Sequence, residues 1–368
     1  MLAASPNLAG SDLKGIWAFV NADDKNKSEK LVEASKLEFT NRKTLAIPTA
    51  EGTKEYSFTP YSFDQFSGML KIPTKYLESC PVGGPGGMKA QIDLRLAERG
   101  NKEQLVRFRN TDTVEGVSGV IRAVLPGLFT PFDNRHLLTA VQRANQEAGG
   151  GFQLELTNAH DPRSMEQVFH LRFLRQTGFN FDGIGIDDPH RIGYHCFTSE
   201  VGYSDLVLNA LVWRLVCKNG MMGFGDSEVL KIRHRNFASH EVTPRLQEGV
   251  LSAVRQEAAV KELLERKYTE PVRDFEGELL LLGAKTKVSD FIKERAVEIA
   301  RTHKKEEYSR FDVMQAYTEA AQSLPIDDRV KLELTIGRAI FGAGAMVRSR
   351  RNVPETIDTD GEIVNPEN

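Results

Sequence analysis

The chain is poor in the features from which several familiar kinds of site are built. Only three cysteines, Cys80, Cys196 and Cys217, occur in 368 residues, and no two form a Cys-x-x-Cys pair. That spacing excludes a disulfide framework and the common zinc patterns, and leaves reduced, mostly buried thiols as the expectation. Long apolar runs are missing too: Leu206–Leu211 and Leu279–Leu282 are among the longest, far short of the roughly 18 to 20 residues that span a bilayer. The opening MLAASPNLAGSDLKG has no basic segment ahead of an apolar one, so no signal peptide is read from it. A cytoplasmic protein with no membrane partner is expected.

Nucleotide-binding and hydrolase signatures are also wanting. Pro81–Gly87, PVGGPGG, lacks the Gly-Lys-Ser/Thr ending of a phosphate loop, and Gly183-Ile-Gly185 does not complete GxGxxG. There is no GxSxG nucleophile elbow. An ATP-driven helicase or recombinase is therefore disfavoured, and no cofactor is expected.

An excess of charge of either sign is missing, since 48 Lys and Arg nearly balance 51 Asp and Glu. The net charge is −3, so any polyanion must be met by a local patch and not by the whole surface. Five acids and no base lie in 352–368, and setting them aside turns −3 into +2 for residues 1–351. The tail reads as disordered.

What is present is patterning. The apolar fraction of 40% is enough for a buried core. Residues 1–30 are small and polar, anchored by Trp17 and Phe19, and suggest a partly ordered arm. Alternation from Lys36 to Pro60 suggests two strands, followed by a helix from Ser62 or Asp64 that turns Phe63, Phe66, Met69 and Leu70 inward. PVGGPGG fits a mobile loop ahead of a helix from Met88 to Glu98.

From Gln104 to Asn236 seven strand-like runs follow one another, interrupted by one helix that Asp133 would cap. After Thr243 the period becomes helical, with Leu246, Val250, Val254 and Ala258 on one stripe and Val288, Phe291, Ile292, Ala296 and Ile299 on another. The expected class is α+β, a central mostly antiparallel sheet with flanking helices and a helical C-terminal region. The expected divisions are an arm (1–30), an α/β subdomain (31–100), a sheet core (101–242), a helical region (243–347) and the acidic tail (348–368).

Two constellations could carry chemistry. Lys231, Arg233 and Arg235 fall at i, i+2 and i+4 of one strand, which puts them on one face roughly 6.5 to 7 Å apart, a spacing suited to successive phosphates. Arg214 and Lys218 would widen this stripe, Arg107 and Arg109 repeat it in short form, and Tyr194, Tyr203, Phe224 or Phe237 could stack bases. An ordinary solvated sheet face accounts for the same charges. The second constellation, Asp187, Asp188 and His190 with Glu200 nearby, has the donor types of a divalent-metal nuclease but matches no known ligand spacing.

Four segments in order, IRAVLPGLFTPFDNRHLL, HCFTSEVGYSDL, WRLVCKNGMM and KIRHRN, resemble the phage/plasmid-like family called domain of unknown function 932. The resemblance covers roughly Lys71 to Arg255 and departs at Pro126-Gly127-Leu128-Phe129, where Ser-x-x-Tyr is the family's pattern. It implies a phage, prophage or plasmid origin, hence a bacterial host cell, and brings no catalytic residue with it. With the basic stripe it makes an ATP-independent single-stranded DNA binder, similar in role to phage annealing proteins, the leading expectation. Self-association through the C-terminal helices goes with that role. A metal-dependent nuclease and a non-catalytic host-takeover protein are the alternatives.

Overall fold

The computed structural model describes residues 13–342 apart from 111–115, 148, 157–166, 177, 180–189, 215–218, 223–227, 236–238, 256 and 304. The expected acidic tail, Lys218, Asp187, Asp188, Phe224 and Phe237 lie outside the described residues.

In chain order the N-terminal part contains α1 (Leu13–Asp24), β1 (Lys27–Glu33), β2 (Glu38–Phe39), β3 (Thr44–Thr49), β4 (Gly52–Phe58), α2 (Pro60–Met69), α3 (Thr74–Ser79), α4 (Met88–Arg99), β5 (Glu103–Asn110) and β6 (Gly119–Pro126). Its strands form one sheet in the order β1-β5-β6-β4-β3-β2, antiparallel except for the β4–β6 pair. The middle contains α5 (Asn134–Glu147), β7 (Phe152–Leu156), β8 (Phe169–Arg175), β9 (His190–Thr198), β10 (Leu206–Arg214), β11 (Asn219–Met222) and β12 (Glu228–Ile232). These strands form a second sheet, β11-β10-β9-β8-β7, with β12 added on β10. The rest comprises α6 (Ser239–Arg255), α7 (Glu257–Thr269), β13 (Pro271–Val272), α8 (Phe275–Lys285), α9 (Asp290–Thr302), β14 (Tyr308–Ser309), α10 (Arg310–Ala320) and α11 (Ile326–Phe341). The class is α+β with a helical C-terminal region.

Two sheets replace the single central one expected. β5 and β6 pair with β1 and β4, so the division foreseen at residue 100 falls inside one sheet. Within the N-terminal arm, α1 buries Ile16 and Val20, and Trp17 and Phe19 pack on the same core, the indole of Trp17 donating to Gln142 Oε1 at 3.2 Å. α2 begins earlier than its apolar stripe suggests because Thr59 and Ser62 form a capping box and Pro60 opens the first turn.

The second sheet is covered on both faces, and strand alternation decides which residue meets which cover. Phe169, Leu171 and Phe173 of β8 join Tyr194 and Cys196 of β9 in the core closed by α1, α5 and α6. The residues between them, His170, Arg172, Leu174 and His195, face the opposite way. There Leu174, Trp213 and Met222 pack on Val330 of α11. Phe291, expected on an inward stripe, is 63% exposed on α9, beside the buried Ile292.

Candidate functional site

The motif segments converge on one carboxylate. Ser199 follows β9 and folds the chain back: its Oγ donates to Gln167 O and accepts from the Tyr203 N–H at 2.8 Å. Gly202 completes the turn at φ +74°, and a Cβ there would come within 2.6 Å of Leu125 Cδ2, so the position suits glycine alone. The turn drives Glu200 inward to 2% exposure.

Glu200 is surrounded by cations. Lys27 Nζ donates to its Oε1 at 3.0 Å, Arg122 Nη2 to its Oε2 at 2.8 Å, and the Asn134 N–H at the start of α5 to Oε1 at 2.9 Å. Arg107 donates through Nη1 to the Glu200 carbonyl at 2.7 Å and through Nη2 to Asp133 Oδ1 at 2.5 Å. Asp23 and Asp24 of α1 complete the network, Asp23 taking Arg109 Nη2 at 2.6 Å and both flanking Lys27. A register shift in the β5–β6 ladder skips Arg122, and such bulges re-aim side chains. Burial opposes ionisation of Glu200, but Lys27, Arg122 and Arg107 outweigh it and hold the carboxyl well below its ordinary range. Burial also raises Asp24, against the pull of Lys27.

This geometry corrects several expectations. Glu200 is neutralised by protein cations and has no lone pair turned to a metal. His190, at the other end of β9, is fully buried against Phe179 and Phe311, and eight steps of strand put it about 26 Å from Thr198, where the turn to Glu200 begins. The two cannot share an ion, and among the described residues no group of three His, Cys, Asp or Glu could hold a metal. Arg107 is 3% exposed and Arg109 is tied to Asp23, so they serve the network and offer no track to a polyanion. Arg214 lies seven residues along β10 from Val207, the partner of Lys231, or about 23 Å, and its Nη1 donates to Gln315. It does not widen the stripe. Tyr194 is buried and cannot stack a base. Asp133 holds the position before α5 expected of a cap, its carbonyl accepting from the Leu137 N–H at 3.1 Å, while its carboxylate turns to Arg107.

The stripe itself alternates as its sequence suggests. Lys231, Arg233 and Arg235 are exposed, whereas Ile232 and His234 are buried. Only Lys231 lies within β12. Beyond Ile232 the chain tightens, the Arg235 N–H donating to Arg233 O at 2.7 Å, and Arg235 bridges to Phe129. His234 anchors this ledge: its ring lies 3.1 Å from Thr198 Oγ1 and 3.2 Å from Thr130 O and stacks on Phe129 at 5.0 Å. Burial lowers the His234 pKa, against its bond to Thr130, which favours the neutral ring. Lys231 is held loosely, 3.7 Å from Asp205, and Tyr203, two residues before Asp205, is 42% exposed. Three cations and one aromatic face thus stand outside the turn whose inner residue is Glu200.

The Gly-rich segment is closed on itself. The N–H groups of Gly87, Met88 and Lys89 donate to the carbonyls of Gly84, Pro81 and Val82, so they make no phosphate cradle.

Sequence reasoning missed a further polar group on the other face of the second sheet. His170 Nε2 lies 2.8 Å from Asp327 Oδ1, and His170 Nδ1 lies 3.1 Å from His195 Nε2. The signal was the alternation of β8 and β9, which sets His170, Arg172 and His195 on one face. Among the described residues no helix is long and apolar enough to cross a membrane. No protein-family model, no curated protein and no solved structure matches the chain.

Proposed function

We propose that the chain binds single-stranded nucleic acid, DNA in preference to RNA, along the Lys231–Arg233–Arg235 ledge, and that it pairs complementary strands without ATP. The observation that carries the reading is the alternation itself. Three cations project outward while Ile232 and His234 hold the backbone against a buried ion network, so the charges are presented on a fixed support. Tyr203 supplies a stacking face beside them, as single-strand binders need.

Membership in the family called domain of unknown function 932, and an origin in a phage or plasmid of a bacterial host, belong to the same proposal. It is supported by the way Arg122, Asp133, Asn134, Glu200 and His234, drawn from three of the four resembling segments, meet in one place. Self-association would use α8 and α9, where Leu280, Leu281 and Phe291 are exposed.

Fluorescence anisotropy with a labelled single strand at several salt concentrations tests the proposal. Each phosphate neutralised adds roughly 0.7 to the slope of log affinity against log salt, so charge reversal at the ledge must lower both affinity and slope.

A further inference from the structure

The chain that lies against the end of the basic ledge leads into a helix with cationic and aromatic groups of its own. Arg235 pairs through its backbone with Phe129, and the Thr130 N–H donates to His234 O at 3.0 Å while the Thr130 carbonyl accepts from the His234 ring at 3.2 Å. The segment from Phe129 towards α5 is thereby laid beside 233–235. Its far end is fixed as firmly. Asp133 Oδ1 accepts from Arg107 Nη2 at 2.5 Å, and the Asn134 N–H donates to Glu200 Oε1 at 2.9 Å. Asp133 also lies near enough to His234 to act on its charge, so the start of α5 stands close to the ledge.

The first turn of α5 is oriented by its buried face. Asn134, Leu137, Leu138 and Val141 point into the protein, and the helical period leaves Arg135 and His136 on the outer side, where both are exposed. Arg135 enters no ion pair among the described residues. Asp133, the acid two residues before it, is already engaged by Arg107, and Asp205 faces Lys231. His136 adds a ring, backed by Phe132 at 5.8 Å much as Tyr203 is backed by Tyr61 at 5.7 Å.

We propose that a single strand held on the ledge continues past Thr130 onto the first turn of α5, where Arg135 meets a further phosphate and the His136 ring a further base. The inference rests on the binding proposed for the ledge and lengthens its footprint. It gives the surface a second aromatic face beside Tyr203 and a fourth outward cation on a rigid support, which is the combination that single-strand binders use.

Fluorescence anisotropy of the full chain with a labelled oligothymidylate at several salt concentrations tests it. Arg135→Glu should lower affinity about threefold near 50 mM salt and reduce the salt slope by roughly 0.7, the share of one phosphate. An acid in a first helical turn is favourable, so this variant should keep its unfolding midpoint. His136→Ala should lower affinity at least about fivefold, the lower end of what a stacked base contributes, with the slope unchanged. Lys75→Glu, which reverses an exposed cation on α3, is the control and should alter neither quantity. A slope for Arg135→Glu no lower than that for Lys75→Glu, or an affinity untouched by His136→Ala, overturns the inference. If Lys231→Glu/Arg233→Glu still lowers the slope in that case, binding at the ledge stands without the extension; if it does not, both fail.

Discussion

Arg122 Nη2 stands 2.8 Å from Glu200 Oε2, and both side chains are almost wholly withdrawn from solvent, at 3% and 2%. The pair joins β6 of the first sheet to the turn that follows β9 of the second. It sits where burial is costly, and the pair persists because Lys27, Arg107 and the start of α5 complete its coordination.

Removing the carboxylate should therefore take a buried counter-charge from Arg122 and from Lys27, although Lys27 keeps Asp23 and Asp24. Glu200→Gln is expected to cost about 3 to 5 kcal/mol, the range for breaking a buried pair from one side, and Arg122→Met a similar amount. The double variant Glu200→Gln/Arg122→Met should cost less than the sum of the singles, because neither strands the other's charge. Urea unfolding followed by circular dichroism reads all three.

The same pair gives an acid dependence with a definite sign. Glu200 is held below its ordinary value of 4.5, so its stabilisation is complete above about 4.5 and is lost as the pH falls below it, where the unfolded chain takes up the proton first. His195 adds a second loss with the same direction, since its folded pKa lies well below the ordinary 6.5 and the unfolded chain protonates first as the pH falls below 6.5. Urea midpoints from pH 7.5 to 3 should decline in both windows. Glu200→Gln should flatten the lower one and His195→Gln the upper one.

Arg107 separates structure from binding. Because its guanidinium is spent on Glu29, Asp133 and the Glu200 carbonyl, Arg107→Ala should lower the unfolding midpoint and leave the salt slope of nucleic-acid binding unchanged in the folded fraction. Arg233→Ala should do the reverse, with a stability change within about 0.5 kcal/mol, as for an exposed side chain.

Leu281→Asp with Phe291→Asp changes two exposed side chains. The monomer should stay folded, while any assembly detected by light scattering should shift towards monomer.

Much of this architecture is legible in the chain, because alternation and helical periodicity report local burial directly. The strands β5 to β10, the inward face of α2 and the exposed-buried rhythm of 231–235 were all readable from period alone. Long-range neutralisation was not. Arg107 and Arg109 alternate like a solvated face, yet the acids that absorb them, Asp23, Glu29 and Asp133, come from three other segments. Glu200 and His190 are close in number, but an extended strand carries them apart. α1 carries only two fully buried apolar residues, Ile16 and Val20, too few to stand out as a stripe in a polar arm. The polar group of His170, His195 and Asp327 depends on β8, β9 and α11 together, and no single segment announces it.

The most direct test is the salt titration of single-strand binding by the Lys231→Glu/Arg233→Glu/Arg235→Glu variant beside the unaltered protein. With three phosphates no longer neutralised, affinity should fall at least tenfold near 50 mM salt and the slope by about 2, while the unfolding midpoint stays put. Unchanged affinity and an unchanged slope would contradict the account and reduce the ledge to an ordinary solvated face.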